Sequence, residues 1–180
     1  GGAAVPGGAR VVLGPGTGLG VATLVEGDTG LVAVPGEGGH VTLAAADEAE
    51  ERVIGAMRAR FGHCSAERLV SGPGLGLLHG ALHGGPGRAP DEIGRAFLAG
   101  DAAAAETFGM FFRLLGTVAA NAALTVGATG GVYIGGGIVP RYAEAFARSG
   151  FRARFEAKGR YRDFMAAIPT RVITAAHPAL

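Results

Sequence analysis

Three side chains in the first half of the chain could together bind a hydroxylated ligand: Glu37, His40 and Glu67. Glu37 and His40 follow a glycine-rich bend, and Glu67 falls at a predicted helix start. Because each carboxylate accepts hydrogen bonds through both oxygens, two carboxylates that converge with an imidazole suit the vicinal hydroxyls of a sugar. Taken singly, Glu67 could simply favour its helix dipole and His40 could simply cap a loop. A metal site fits the trio poorly, since no fourth ligand is spaced nearby.

A second candidate site is the stretch Gly14-Pro15-Gly16-Thr17-Gly18-Leu19-Gly20, in which glycine recurs at every second position. Alternate residues of an extended or hairpin segment share one face, so that face of the peptide carries no side chains. Glycine otherwise weakens a strand, which makes the pattern costly unless a ligand approaches the backbone closely. We interpret the stretch as a site for a nucleotide phosphate, bound by backbone N–H dipoles and the Thr17 hydroxyl.

The alternative for this stretch is an ordinary turn in a glycine-rich chain, which has 34 glycines among its 180 residues. Two better-known phosphate motifs do not match. The dinucleotide fingerprint needs a glycine where Leu19 or Val21 stands, and the P-loop needs a Gly-Lys-Ser/Thr ending that the stretch lacks.

Composition favours a single globular domain with a sizeable core, because 48% of the residues are hydrophobic and 17% are charged. The net charge of +1 implies no general attraction to nucleic acid or to an anionic membrane. Cys64 is the single cysteine, which excludes a disulfide framework and a cysteine-based zinc site. We expect no apolar run long enough to span a bilayer, no secretory signal and a cytoplasmic location.

Hydrophobic patterning predicts strands first, then helices, then a strand–helix unit, which is an α/β or α+β arrangement. The first strands should form an antiparallel meander, extended by 41–43, and helices should begin at Asp47, Ser65 and Pro90. We expect the helix from Ser65 to be interrupted at 71–74. The remaining predictions are strands at 11–13, 21–25, 31–34, 130–137 and 171–174, and helices at 75–82, 101–126 and 141–148.

A basic segment lies near the end of the chain and contains a single acid, Glu156. The bland interpretation is a solvated face, and the alternative is a patch that binds phosphate or a missing part of the protein. Its basic residues are Arg152, Arg154, Lys158, Arg160 and Arg162.

Four motifs, in this order and at these intervals, resemble the bacterial ATP-dependent glucokinase family. They are Gly14–Gly20; Pro35-Gly36-Glu37-Gly38-Gly39-His40; Ser65-Ala66-Glu67-Arg68 with Ser71-Gly72-Pro73-Gly74; and Gly130-Gly131-Val132-Tyr133-Ile134-Gly135-Gly136-Gly137-Ile138-Val139-Pro140-Arg141. The segment from Ser149 to Pro169 resembles the family's tail region. A related family of repressors and sugar kinases follows its Glu-x-Gly-His motif with zinc-binding cysteines, which this chain lacks.

The resemblance implies the actin-like, hexokinase-type ATPase fold, with ATP and Mg²⁺ as cofactors and glucose as substrate. It implies glucose contacts at Glu37, His40 and Glu67. It implies ATP contacts at Gly14, Gly16, Thr17, Gly18, Gly20, Gly135, Gly136 and Gly137, the last three against the adenosine. A homodimer is compatible with the long apolar helix and the surfaces of the lobe.

The chain also departs from the family's pattern. The family's first phosphate loop, of the Asp-x-Gly-Gly-Thr type, is absent, as is the Asn-Asp pair whose Asp accepts the proton of the sugar 6-hydroxyl. The first residue is Gly rather than Met. We therefore expect 1–9 to be a linker or truncated edge, 10–180 to be the larger C-terminal lobe, and the chain alone to be inactive. The alternatives are a kinase for another hexose, a non-catalytic sugar or nucleotide sensor of the same fold, and an oxidoreductase with a broken dinucleotide motif.

Overall fold

A five-stranded mixed sheet forms the centre of the molecule, in a computed structural model that describes residues 2–174. Its strands are β1 (Arg10–Pro15), β2 (Leu19–Gly27), β3 (Gly30–Gly36), β4 (Gly131–Ile134) and β5 (Thr170–Val172), in the order β3-β2-β1-β4-β5. β1 and β2 pair antiparallel, as do β2 and β3, whereas β4 is parallel to both β1 and β5. The predicted α/β class and the antiparallel meander are confirmed.

Eight α-helices flank the sheet within the described range. They are α1 (Glu48–Phe61), α2 (Ala66–Leu69), α3 (Gly72–His83), α4 (Pro90–Leu98), α5 (Ala102–Val126), α6 (Ala143–Ala147), α7 (Phe151–Glu156) and α8 (Arg162–Ala167). Helix α1 begins as predicted, because the Asp47 carboxylate accepts a hydrogen bond from the Glu50 backbone N–H at 2.9 Å.

Helix α2 ends at Leu69, as the predicted interruption requires, but the next helix begins within 71–74, at Gly72, rather than at Leu75. The Ser71 hydroxyl oxygen accepts a hydrogen bond from the Gly74 N–H at 3.1 Å and caps α3. Pro73 is tolerated in the first turn, where its missing N–H would have no intrahelical partner. Ser71-Gly72-Pro73 is therefore a helix start signal. The sequence did not predict it because glycines on both sides of a proline are more typical of a loop.

Three other predicted boundaries differ from the structure. Residues 41–43 do not extend the meander, because Thr42 forms an isolated bridge with Ser65. Strand β4 ends at Ile134, since the chain turns away through Gly136 at φ 75°. The helix predicted over 141–148 divides into a 3-10 turn at Pro140–Tyr142 and the short α6.

Helix α5 is the core of the fold and buries Phe108, Phe111 and Phe112 almost completely. It begins at the Asp101 cap and ends at Gly127, whose left-handed φ of 61° suits glycine. By length and composition it could cross a membrane, with a mean hydropathy of 1.4, so the expectation of no such segment was wrong. Because 61% of the 18-residue stretch with this hydropathy is buried inside the protein, α5 is a core helix of this fold.

A buried ion pair joins α1 to α7. The Glu50 side chain is fully buried, and both of its oxygens accept hydrogen bonds from Nη1 of Arg154, at 2.7 and 2.8 Å. Nη2 of Arg154 donates to Asp47 at 3.1 Å. The Glu50 N–H bond lowers the pKa of the Asp47 carboxyl, and the nearby Arg154 charge lowers it further. Arg154 therefore links Asp47, the cap of α1, to Glu50, the buried carboxylate in the first turn of that helix.

The basic segment is thus neither a wholly solvated face nor a free phosphate patch. Besides Arg154, Arg152 is also used internally, since its guanidinium donates to Glu156 and to the carbonyl oxygens of Ile168 and Ala166. These two arginines hold the C-terminal helices against the rest of the fold. At these two positions the segment makes hydrogen bonds and ion pairs within the fold.

We predict that Arg154→Met destabilises the fold by about 3 kcal/mol, because the buried Glu50 carboxylate loses its two shortest ion-pair contacts and keeps only Arg113, 4.0 Å away, as a cationic partner. The matched control is Arg148→Met. Arg148 is exposed and lies 3.8 Å from an exposed Glu144, so its loss should cost less than about 1 kcal/mol. Urea denaturation of both variants measures the difference, and equal losses would contradict the assignment.

Candidate functional site

Glu37, His40 and Glu67 lie together at one edge of the sheet. A 3-10 turn at Gly38–His40 places His40 Nε2 3.8 Å from Oε2 of Glu37 and 4.0 Å from Oε1 of Glu67. The Glu37 side chain is 90% exposed and that of His40 is 60% exposed, whereas that of Glu67 is only 33% exposed. The two carboxylates and the imidazole therefore converge, as the sugar-site hypothesis requires.

Glu67 is held in place by the short helix α2 and by the glycine-rich hairpin. Ser65 caps α2 by accepting a hydrogen bond from the Arg68 N–H at 3.2 Å. The backbone N–H of Ala66 donates to the Val41 carbonyl at 2.9 Å, which ties α2 to the segment after His40. Glu67 lies in the first turn of α2, where a carboxylate also favours the helix dipole. The helix-dipole interpretation and the site interpretation are therefore compatible.

The same carboxylate contacts the hairpin directly. The Leu19 backbone N–H donates to Oε2 of Glu67 at 2.8 Å. Leu19 pairs with Pro15 at the end of the β1–β2 ladder next to the turn. The hydrogen bond from its N–H to Glu67 therefore lies at the hairpin tip. Sequence reasoning missed this bond. The signal was the glycine pattern itself, which leaves room beside Leu19 for a carboxylate.

The hairpin tip joins β1 to β2 and exposes backbone along one side. Gly14 and Gly20 lie directly opposite each other, and the chain turns through Gly16–Gly18. Pro15 and Leu19 are buried, whereas Thr17 and Gly20 are exposed. A Cβ added at Gly20 would meet nothing within 4 Å. Bare peptide is thus accessible at the tip.

The second predicted glycine cluster lies against the first. The Gly135 N–H donates to the Leu13 carbonyl at 2.8 Å, which continues the β1–β4 pairing toward the hairpin. At Gly136 the φ is 75°, and a Cβ there would overlap the Pro15 carbonyl oxygen. A Cβ at Gly137 would meet nothing within 4 Å. The structure therefore brings 14–20 and 135–137 together into one side-chain-poor surface.

A polar cleft of about 160 Å³ lies between Thr17 of the hairpin tip and two members of the trio, His40 and Glu67; Glu37 does not line it. Its floor includes the start of α3, which is fixed because the Gly72 N–H donates to the Gly16 carbonyl at 2.7 Å. Ser71 and Pro73 were not predicted as site residues, although they belong to the motif at 71–74. The cleft is lined by Thr17, His40, Ser65, Glu67, Arg68, Ser71, Pro73, Gly74 and Leu77.

None of the other described histidines, His63, His79 and His83, lines this cleft. The Thr42 hydroxyl lies 2.9 Å from Nε2 of His63, and His83 lies within hydrogen-bond distance of Thr107. His79 is buried with neither ring nitrogen hydrogen-bonded among the described residues, and burial lowers the pKa of its imidazole. His177 lies outside the described residues.

Comparison with known proteins gives the same family as the motifs. The glucokinase of Aromatoleum aromaticum is 51% identical over 175 residues, which is 94% of this chain and 53% of that protein. A crystal structure of a glucokinase from an Antarctic psychrotroph superposes with a TM-score of 0.90 at 32% identity, covering 98% of this chain and 57% of that one. The chain spans about half the length of the curated relatives it matches.

More distant structures share the fold. A ROK family glucokinase from Streptomyces griseus, in complex with glucose and AMPPNP, has a TM-score of 0.56 at 18% identity and covers 94% of this chain and 56% of its own. The family model described as Glucokinase matches residues 1–180. This chain belongs to the glucokinase family.

Proposed function

We propose that this chain is the sugar- and nucleotide-binding half of an ATP-dependent glucokinase, with 10–180 as its larger lobe. The full-length enzyme would transfer the γ-phosphoryl group of ATP to glucose and form glucose 6-phosphate. The observation that carries the proposal is that Glu37 and Glu67 both lie within 4.0 Å of His40, beside a cleft that His40, Glu67 and Thr17 of the hairpin tip line together. A sugar and a phosphate chain would therefore lie side by side.

The sugar subsite would use hydrogen bonds rather than a metal. Each carboxylate oxygen accepts from sugar hydroxyls, and the His40 ring can donate or accept according to its tautomer. Glu67 is the most shielded member of the trio, so its hydrogen bonds would compete least with water. A relative of the same fold carries glucose in its crystal structure, which supports glucose as the ligand.

The nucleotide subsite would lie on the side-chain-poor surface of 14–20 and 135–137. Backbone N–H groups and the Thr17 hydroxyl are donors that suit phosphate oxygens, and the open space at Gly20 and Gly137 leaves room for them. AMPPNP in the Streptomyces griseus relative supports ATP as the phosphoryl donor. Gly135, Gly136 and Gly137 would face the adenosine side.

Mg²⁺ would enter with the nucleotide. No group of three His, Cys, Asp or Glu side chains suitable for a metal occurs within residues 2–174, which fits an ion held mainly by substrate phosphates. When bound, it would neutralise charge on the β- and γ-phosphates. The chain's own donors around the hairpin tip would orient the same phosphates.

The chemical step needs a group that this chain does not supply. The oxygen of the sugar 6-hydroxyl would attack the γ-phosphorus in line, ADP would leave, and a carboxylate would accept the hydroxyl proton. In the family this carboxylate is an Asp preceded by Asn, and no Asp of this chain follows an Asn. This half would therefore bind and orient both substrates while the other half supplies the base. An ATP-consuming step on free glucose is consistent with a cytoplasmic enzyme.

Two alternatives use the same cleft. A kinase for another hexose would prefer mannose, fructose or N-acetylglucosamine over glucose in a substrate panel. A sensor would retain sugar and nucleotide binding when combined with the other half but would transfer no phosphoryl group. The family-model match and the similarity to curated glucokinases favour glucokinase over both.

We predict that Glu67→Gln in the full-length enzyme raises KM for glucose by about 10- to 100-fold, because hydrogen bonds to a charged acceptor are stronger than those to a neutral one. KM for ATP should change little. Glu92→Gln is the matched control, since Glu92 is also a first-turn helix carboxylate but is exposed and outside the cleft. Unchanged glucose kinetics would exclude Glu67 as a sugar contact.

We predict that the purified 180-residue chain does not phosphorylate glucose measurably. Loss of a general base alone lowers rates by about 10²–10⁴-fold, and loss of the opposing lobe also removes substrate positioning. A coupled assay that detects glucose 6-phosphate measures this directly. Robust turnover by the isolated chain would show that its own residues supply the base.

A further inference from the structure

Gly18 differs from the other three glycines of the hairpin in what a side chain would meet. A Cβ at Gly18 would lie 2.5 Å from Oε2 and 3.2 Å from Cδ of Glu67. At Gly14 and Gly16 the nearest atoms would be 3.9 and 3.7 Å away, which is ordinary contact, and at Gly20 there would be none within 4 Å. Of these four glycines, Gly18 is therefore the one at which an added Cβ would contact a side chain, and that side chain is the Glu67 carboxylate.

Backbone conformation does not explain the glycine at this position. Gly18 is not among the glycines with positive φ, so an alanine could adopt its φ and ψ without left-handed strain. The space beside Gly18 is instead occupied by the Glu67 side chain. A Cβ here would therefore require the Glu67 carboxylate to shift from its place against the hairpin.

The two oxygens of that carboxylate have different surroundings. Oε2 accepts the N–H of Leu19, the residue directly after Gly18, at 2.8 Å. Oε1 lies 4.0 Å from His40 Nε2, on the side of the cleft. The hairpin thus fixes one oxygen through its backbone and leaves the other for a ligand.

We propose that Gly18 is a positioning residue for the hexose and acts through Glu67. By leaving out a side chain, it lets the Leu19 N–H hold Oε2, which directs Oε1 at the sugar hydroxyls. This inference rests on the proposed function of the cleft as a hexose site. It assigns to a residue of the nucleotide hairpin a role in binding the other substrate.

An alanine at this position would displace the carboxylate. Since the Cβ would lie only 2.5 Å from Oε2, Glu67 would shift away from the hairpin, which would weaken the Leu19 bond and move Oε1 relative to His40. If Gly18 contributed only to nucleotide binding, its substitution would leave the affinity for glucose unchanged when no nucleotide is present. That difference separates the two roles.

The test is glucose binding by the full-length enzyme without nucleotide, measured by calorimetry on the wild type, Gly18→Ala and Gly20→Ala. We expect Gly18→Ala to weaken glucose binding by about tenfold or more, because a hydrogen bond to a charged group is lost. Gly20→Ala is matched in chemistry and lies on the same hairpin, but no atom lies within 4 Å of its Cβ. It should leave glucose affinity within about twofold of the wild type and raise KM for ATP instead.

Three results have distinct meanings. Wild-type glucose affinity in Gly18→Ala, with a raised KM for ATP, would overturn the inference and leave the proposed function intact. Absence of glucose binding by the wild type would overturn the proposed function itself, and this inference with it. Equal loss of glucose affinity in both alanine variants would also overturn the inference, since the carboxylate contact would not be the cause.

A thermal melt covers the case in which Gly18→Ala folds poorly. If the clash is with the carboxylate, Gly18→Ala should lower the melting temperature in the wild type and have little effect in a Glu67→Ala background. An undiminished loss in that background would mean that the Cβ collides with something other than Glu67 and would contradict the inference.

Discussion

The candidate site depends on one constraint: the backbone of three other segments must pack closely against the β1–β2 hairpin tip. Gly39 packs on the Leu19 carbonyl, and Gly136 packs on the Pro15 carbonyl; a Cβ at either glycine would overlap that oxygen. The start of α3 is bonded to the Gly16 carbonyl. Three segments distant in sequence can meet at the tip only because side chains are absent there. The Glu37–His40–Glu67 cluster and the glycine surface are consequences of that meeting.

Much of this arrangement could be predicted from local sequence. Alternating glycines between two apolar runs predicted the hairpin, and Asp47, with acids in the following turn, predicted the start of α1. The long apolar stripe predicted α5, since a period near 3.6 residues persists over 25 residues. These features depend on interactions between near neighbours, which a sequence pattern records directly.

The features that sequence did not predict depend on partners far apart in the chain. The Leu19–Glu67 hydrogen bond spans 48 positions, and the Glu50–Arg154 pair spans 104. Nothing in the composition of 151–162 indicates that Arg152, Arg154 and Lys158 make internal hydrogen bonds. Likewise, the glycines of 71–74 correctly predict a break after α2, but the Ser71 cap and the bond from Gly72 to the hairpin, which start α3 within this segment, are not evident from the sequence. Tertiary contacts decided each case.

The most direct test of the account is an NMR titration of the isotope-labelled 180-residue chain with AMPPNP and, separately, with glucose. Binding of each substrate by this half is the central claim, and amide shifts report it without turnover. The account predicts that AMPPNP shifts the amides of 14–20 and 135–137 and that glucose shifts those of 37–40 and 67. Shifts confined to other regions, or none with either ligand, would contradict it.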